Sequence, residues 1–157
     1  MPPTCDLMWR KGPPDGTPLK STSPEEAPPA ERIVADINDP RCVCLAGKTT
    51  LRQLLVLYHL SRVLVTNDSG PAHFATLTPI RIITMFGPET PVAFGARTPR
   101  NEILWKGIAC SPCVSAYNDR QSACRDNVCM QGITVDQVFE KLRKAYEGAT
   151  KTAAVKS

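Results

Sequence analysis

The chain has 157 residues, 42% of them hydrophobic and 22% charged, the balance of an ordinary soluble globular protein with a single core. Its net charge of +4 is dispersed along the sequence, which argues against a nucleic-acid partner and is compatible with anionic ligands or an anionic membrane surface. No apolar run approaches the roughly 20 residues that cross a bilayer, and the N-terminus lacks a signal-peptide core, so a cytoplasmic location is the expectation.

Residues 1–22 show no apolar periodicity, and six of the fifteen prolines fall between Pro2 and Pro24, so this stretch reads as a disordered lead-in. At Ser23-Pro24-Glu25-Glu26 the pattern sharpens into a cap residue, a proline at the first helical position and acids in the first turn. A helix is predicted to follow, with Ile33, Val34 and Ile37 on its apolar side and Pro28 and Pro29 placed to delay or kink its start. Cys42 to Ala46 reads as a short apolar strand, with Cys42 and Cys44 as buried thiols. Gly47-Lys48-Thr49-Thr50 looks like the tail of a Walker A loop, but the upstream glycine is absent at the required spacing, and a P-loop is rejected. Leu51, Leu54, Leu55 and Tyr58 then recur at helical spacing behind a cap at Thr49 or Thr50.

The rest of the chain is organised around Val63 to Ala75. Its apolar, β-branched start predicts a strand; Asn67, Asp68, Ser69 and Gly70 predict a turn, and Pro71 predicts the first position of a helix carrying Ala72, His73 and Phe74. A helix beginning at the carboxyl end of a buried strand can receive a phosphate or carboxylate, with His73 as an added donor and Asp68 as an acceptor for sugar hydroxyls. Plain capping by Asp68 and Ser69, with His73 on the surface, explains the same residues, and local chemistry leaves both readings open.

Arg81 to Phe86 is a nearly continuous apolar run ended by Gly87-Pro88, as expected of a parallel strand covered on both faces. If it neighbours the preceding strand, its carboxyl end lies beside the Asp68 turn, where open α/β sheets bind ligands. Glu102 to Trp105 reads as one more short strand. Cys110 and Cys113 are separated by two residues, Cys124 and Cys129 by four. Four thiolates with a tight first pair suit a tetrahedral structural zinc; reduced thiols or a disulfide are the alternatives, and a catalytic zinc is disfavoured because four thiolates leave no open position. Thr134 and Gln137 form a capping box for a helix with Val135, Val138, Phe139, Leu142 and Tyr146 on one face, and the chain beyond Gly148 reads as an unstructured end. The alternation from residue 23 to residue 147 predicts an α/β layered domain with a mostly parallel sheet, a cysteine-rich loop at 110–129 and a disordered tail at 148–157.

Three segments carry a family resemblance: Leu45-Ala-Gly-Lys-Thr-Thr-Leu51, Asn67-Asp-Ser-Gly-Pro-Ala-His73, and Pro79 through the strand ending in Phe86-Gly87-Pro88. Cys110-Ser-Pro-Cys113 adds a fourth. Together they resemble glycosyltransferase family 9, the lipopolysaccharide heptosyltransferase family. The resemblance implies the Rossmann-like C-terminal half of a two-domain GT-B enzyme, the half that binds the nucleotide-sugar donor. It implies that Asp68, Ser69, Gly70 and His73 hold an ADP-heptose-like donor, with Glu26 at the position of a glutamate that contacts the ribose; a first-turn acid serving the helix dipole is the other reading of Glu26. It also implies an inverting transfer to lipopolysaccharide or a related glycan that requires no metal, at the inner face of the cytoplasmic membrane with peripheral association. The acceptor half would supply the general base, a separate acceptor-binding domain is a candidate partner, and residues 6–11 do not supply the family's first strand. Two other classes of reading stand beside this one: a nucleotide-sugar-binding fragment without catalysis, and a zinc-stabilised interaction domain.

Overall fold

The computed structural model describes residues 27–119 and 121–154, without the side chains of residues 116 and 149–154. The chain runs through α1 (Ala27–Ile37), α2 (Leu51–Leu60), β1 (Val63–Asn67), α3 (Gly70–Ala75), β2 (Arg81–Phe86), α4 (Pro91–Phe94), β3 (Asn101–Trp105), a 3-10 turn (Ala116–Asn118), α5 (Val128–Gln131) and α6 (Val135–Ala154). The three strands form one parallel sheet in the order β1-β2-β3. The expected α/β class is therefore the observed one.

Both faces of β1 and β2 are covered, which explains why these two strands are apolar almost throughout. Alternate residues point to opposite faces of a strand. Leu64 and Ile82 join Leu45, Leu54, Leu57, Tyr58, Ala75 and Ile80 in a cluster beneath α2 and α3. Val63 and Ile83 face the other way and pack with Ala145, bordered by Val65, Leu104, Leu142 and Tyr146. Outside these clusters α6 is held by charge and ring contacts: Lys141 Nζ lies 2.9 Å from Glu102 Oε2 on β3, and the Arg62 guanidinium sits 4.9 Å from the centre of the Tyr146 ring.

Helix starts follow the sequence closely. Thr50 accepts the Gln53 N–H while Gln53 Oε1 accepts the Thr50 N–H, a full capping box on α2, and Thr134 and Gln137 exchange the same pair of bonds at α6. Gly47 adopts a positive φ of 65° and the Lys48 N–H closes onto the Leu45 carbonyl at 3.0 Å, so Gly-Lys-Thr-Thr serves as a turn and a cap.

Three expectations are corrected. Residues 42–46 form no strand, because their backbone meets no partner strand among the described residues, although Leu45 and Ala46 are buried by side-chain packing; Cys42 and Cys44 are only half-buried. Helix α6 continues past Gly148 to Ala154, where Ala149, Ala153 and Ala154 favour the helical backbone. Its predicted face is also only partly used: Leu142 and Tyr146 reach the core, while Val135 and Phe139 remain exposed. Helix α1 likewise buries none of its residues.

The turn after α1 offers a local test. Arg41 donates through its backbone N–H and its guanidinium to the Asp39 carboxylate, and these hydrogen bonds, side chain first, lower the Asp39 pKa from 3.8 to about 2. Because the folded pKa is depressed, whatever the pair contributes is present above pH 3.8 and is lost as pH falls through about 2. Carboxyl-carbon NMR titration is expected to show an Asp39 midpoint near 2, returning towards 3.8 in Arg41→Ala; an unchanged midpoint in the variant would contradict the assigned cause.

Candidate functional site

The parallel register pairs Asn67 with Met85 and Phe86 with Trp105, so the strands end together at one edge of the sheet. The Asp68 N–H extends the ladder by donating to the Met85 carbonyl at 3.0 Å. This bond places the Asp68-Ser69-Gly70 turn directly beside the Phe86-Gly87-Pro88 strand end. The juxtaposition anticipated from two separated motifs is thus made by backbone pairing.

Asp68 and Ser69 are half-buried, whereas Gly70 and His73 are exposed. Helix α3 begins at Gly70, one residue before the proline, and Ser69 holds the N-cap position in an extended conformation. Its hydroxyl makes no capping bond. It turns back instead to the Asn67 carbonyl at 3.3 Å and lies 3.4 Å from Thr66 Oγ1. Plain capping therefore does not account for Ser69, and its hydroxyl stays on the strand-end side of the turn.

The helix itself contributes less than the sequence suggests. It has six residues, Pro71 carries no N–H, and the Ala72 N–H is taken by the Ser69 carbonyl at 3.1 Å. A dipole this short is weak, so an anion at this edge depends on the turn and on side chains, of which the exposed His73 of α3 is the one the sequence offers. Asp68, on the turn itself, is the carboxylate the sequence offers as an acceptor. Glu26, the fifth residue expected here, lies outside the described residues.

A loop closes over the end of β2. Ser111 Oγ donates to the Gly87 carbonyl at 2.6 Å and accepts from Trp105 Nε1 at 3.2 Å, while the Cys113 and Val114 N–H groups both donate to the Pro88 carbonyl, at 2.9 and 3.1 Å. A Cβ on Gly87 would stand 2.7 Å from the Met130 side chain and 3.5 Å from Cys129 Sγ, so a larger residue would require the flexible Met130 side chain to shift. Sequence reading missed Ser111 and Met130. The cue was the glycine ending a strand, which signals close approach without naming what approaches.

All six described cysteines are free thiols. Cys113, Cys124 and Cys129 are neighbours, and burial, reinforced by the other two sulfurs, pushes the Cys129 thiol up. Among the described residues no three His, Cys, Asp or Glu side chains converge as metal ligands. A groove of about 490 Å³ between β3 and α6, lined by Trp105, Ile133 and Lys141 among others, includes none of the predicted site residues.

A parallel α/β sheet with the Asp68–His73 turn at its strand ends defines an open α/β domain of the kind that places ligands at that edge. Residues 18–123 match glycosyltransferase family 9 (heptosyltransferase), and the chain belongs to that family. Lipooligosaccharide heptosyltransferase 2 of Campylobacter jejuni is 28% identical over 103 residues, covering 64% of this chain and 31% of the relative. Lipopolysaccharide heptosyltransferase 2 of Salmonella typhimurium is 36% identical over 62 residues, which is 38% of this chain and 18% of the relative. The solved structure of E. coli ADP-heptose lps heptosyltransferase II superposes with a TM-score of 0.66 at 22% identity, over 83% of this chain and 36% of that one, and its GT-B fold is the one to which this domain corresponds. The chain spans no more than about a third of the length of the curated relatives it matches. Among the described residues no helix is long and apolar enough to cross a membrane.

Proposed function

We propose that this chain supplies the donor-binding part of a heptosyltransferase-type glycosyltransferase, which moves a sugar from an ADP-heptose-like donor to lipopolysaccharide or a related glycan. The observation that carries this reading is the Asp68 N–H to Met85 bond, which sets the Asp68–His73 turn against the Phe86–Pro88 strand end in a family 9 chain. Asp68 accepts from the donor's hydroxyls, and Ser69 and Gly70 shape the turn around the diphosphate. The acceptor hydroxyl attacks the anomeric carbon on the face opposite the diphosphate, and the bond to the diphosphate breaks with its electron pair. His73 meets the charge that develops on the leaving phosphate, a stabilisation that grows towards the transition state. No metal is required by this scheme, and the general base is assigned to the acceptor-binding part of the full-length relatives. The reaction is placed in the cytoplasm, at the inner face of the membrane that carries the acceptor.

Calorimetric titration of the purified chain with ADP-heptose, ADP and UDP tests the reading. Both adenine ligands are expected to bind, with UDP weaker by about tenfold or more, roughly 1.4 kcal/mol. Absence of heat with all three ligands, in protein with a cooperative unfolding transition, would sink the donor-site assignment.

A further inference from the structure

The groove of about 490 Å³ between β3 and α6 flanks the sheet at its β3 edge and contains none of the residues assigned to the donor. Its volume falls in the range of roughly 300–1,000 Å³ typical of small-ligand sites. Ile103 and Trp105 of β3 and Ile133 before α6 give it an apolar wall. Trp105 is held in place, because its Nε1 donates to Ser111 Oγ at 3.2 Å and Ser111 is itself tied to the Gly87 carbonyl. Gly107, at φ 54°, keeps side-chain bulk away from the indole, since a Cβ there would stand 3.5 Å from the six-membered ring. The polar groups are Lys106, Asp136 and Gln137, all exposed, and the Lys106 stem packs against Gly132, where a Cβ would come within 3.1 Å of its Cγ. Charges at the groove nearly cancel. Lys141 Nζ is held by Glu102 at 2.9 Å, and Glu140 by Arg143 at 3.1 Å and Lys144 at 3.0 Å. That leaves Lys106 and Asp136, one charge of each sign, neither in an ion pair among the described residues.

We propose that this groove is a binding subsite for uncharged glycan, in which a pyranose ring lies against Trp105 and its hydroxyls bond to Lys106, Asp136 and Gln137. A phosphate or carboxylate gains no net attraction from so balanced a site. A sugar ring matches it, because its C–H face is apolar and suits an indole while its hydroxyls both donate and accept. The Asp136 carboxylate accepts from those hydroxyls. The Lys106 ammonium donates, and so does the Gln137 amide, whose Oε1 is already taken by the Thr134 N–H at 3.3 Å. An extended peptide added to the outer edge of β3 is the rival occupant; it would take its affinity from main-chain bonds and leave Asp136 and Gln137 of α6 unused. Leu104, on the groove wall, stands in one row with Met85 and Asn67, about 10 Å from the residue before Asp68 by two interstrand spacings. The ligand class follows from the chemistry of the groove, and only its use in glycosyl transfer rests on the donor-site reading above.

Saturation-transfer NMR of the full chain with maltotriose, mannotriose, chitotriose and a methyl heptopyranoside tests this. At least one of these neutral sugars is expected to bind with a dissociation constant of about 1 mM or tighter, with transfer strongest at the ring C–H protons. Trp105→Ala should weaken binding at least about tenfold, and Asp136→Ala, at an exposed position that spares the core, about 5–10-fold. Phe139→Ala, on the same helix but outside the groove, should leave it unchanged. Saturating ADP should not displace the sugar, which keeps this test separate from that of the donor turn. The proposal is overturned if no sugar shows transfer from folded protein, if affinity is parent-like in either Trp105→Ala or Asp136→Ala, or if ADP competes. A phosphorylated maltotriose binding at least about tenfold more tightly than the neutral one overturns the preference for uncharged rings. Binding of a five-residue β-strand peptide without any of the sugars gives the groove to strand addition instead.

Discussion

Phe86→Ala is expected to destabilise the fold by about 3–5 kcal/mol, the cost of removing a large aromatic side chain from a site that cannot collapse around the loss. Phe86 is fully buried at the last position of the central strand, paired with Trp105 on one side and followed by Gly87, against which the Met130 side chain packs. Domains of this kind have only about 5–15 kcal/mol of total stability, so the variant should unfold at a much lower urea concentration, with the slope of the transition unchanged. Phe139→Ala is the matched control. Phe139 is 63% exposed on α6, and its truncation should cost no more than about 0.5 kcal/mol. Equal losses for the two would mean that the strand end is not packed as described.

Asp68→Ala is expected to weaken ADP-heptose binding by roughly 10–150-fold, corresponding to about 1.5–3 kcal/mol for hydrogen bonds made by a charged group. The Asp68 bond to the Met85 carbonyl runs through the backbone N–H, which the substitution keeps, and the unfolding midpoint is measured alongside to separate binding from folding. Asp68→Asn separates charge from shape, since the amide can still accept but carries no charge. His73→Ala, at an exposed position, should cost about 5–10-fold through the loss of one phosphate contact of roughly 1 kcal/mol. Parent-like affinity in both alanine variants, at unchanged unfolding midpoints, would remove the turn from the site.

These two predictions draw on different depths of legibility. The central strand was readable because burial on both faces forces a near-continuous apolar run, and Gly87-Pro88 bounds that run at strand length. The capping boxes at Thr50 and Thr134 were readable because a cap is a local bond between residues three apart. Residues 42–46 were misread for the opposite reason. A strand exists only through a partner, and their composition says nothing about whether one is present. Ser69 was left open between capping and ligand binding, and only the structure shows that it holds the N-cap position while its hydroxyl turns to the Asn67 carbonyl.

By itself, then, the sequence determined the α/β class, the strands and helices of the central unit, the Asp68–His73 turn and the clustering of cysteines, because each rests on periodicity, turn chemistry or short spacing. Tertiary structure alone decided that β1 and β2 are neighbours in a register that brings Asp68 to the Met85 carbonyl, and that the cysteine loop folds back over Gly87 and Pro88. It also decided which part of α6 is buried: Leu142, Ala145 and Tyr146 meet the sheet, and Phe139 does not. The physical reason is common to all three. Pairing, loop return and helix docking are contacts between residues far apart in the chain, and local sequence encodes the capacity to make such contacts without naming the partner.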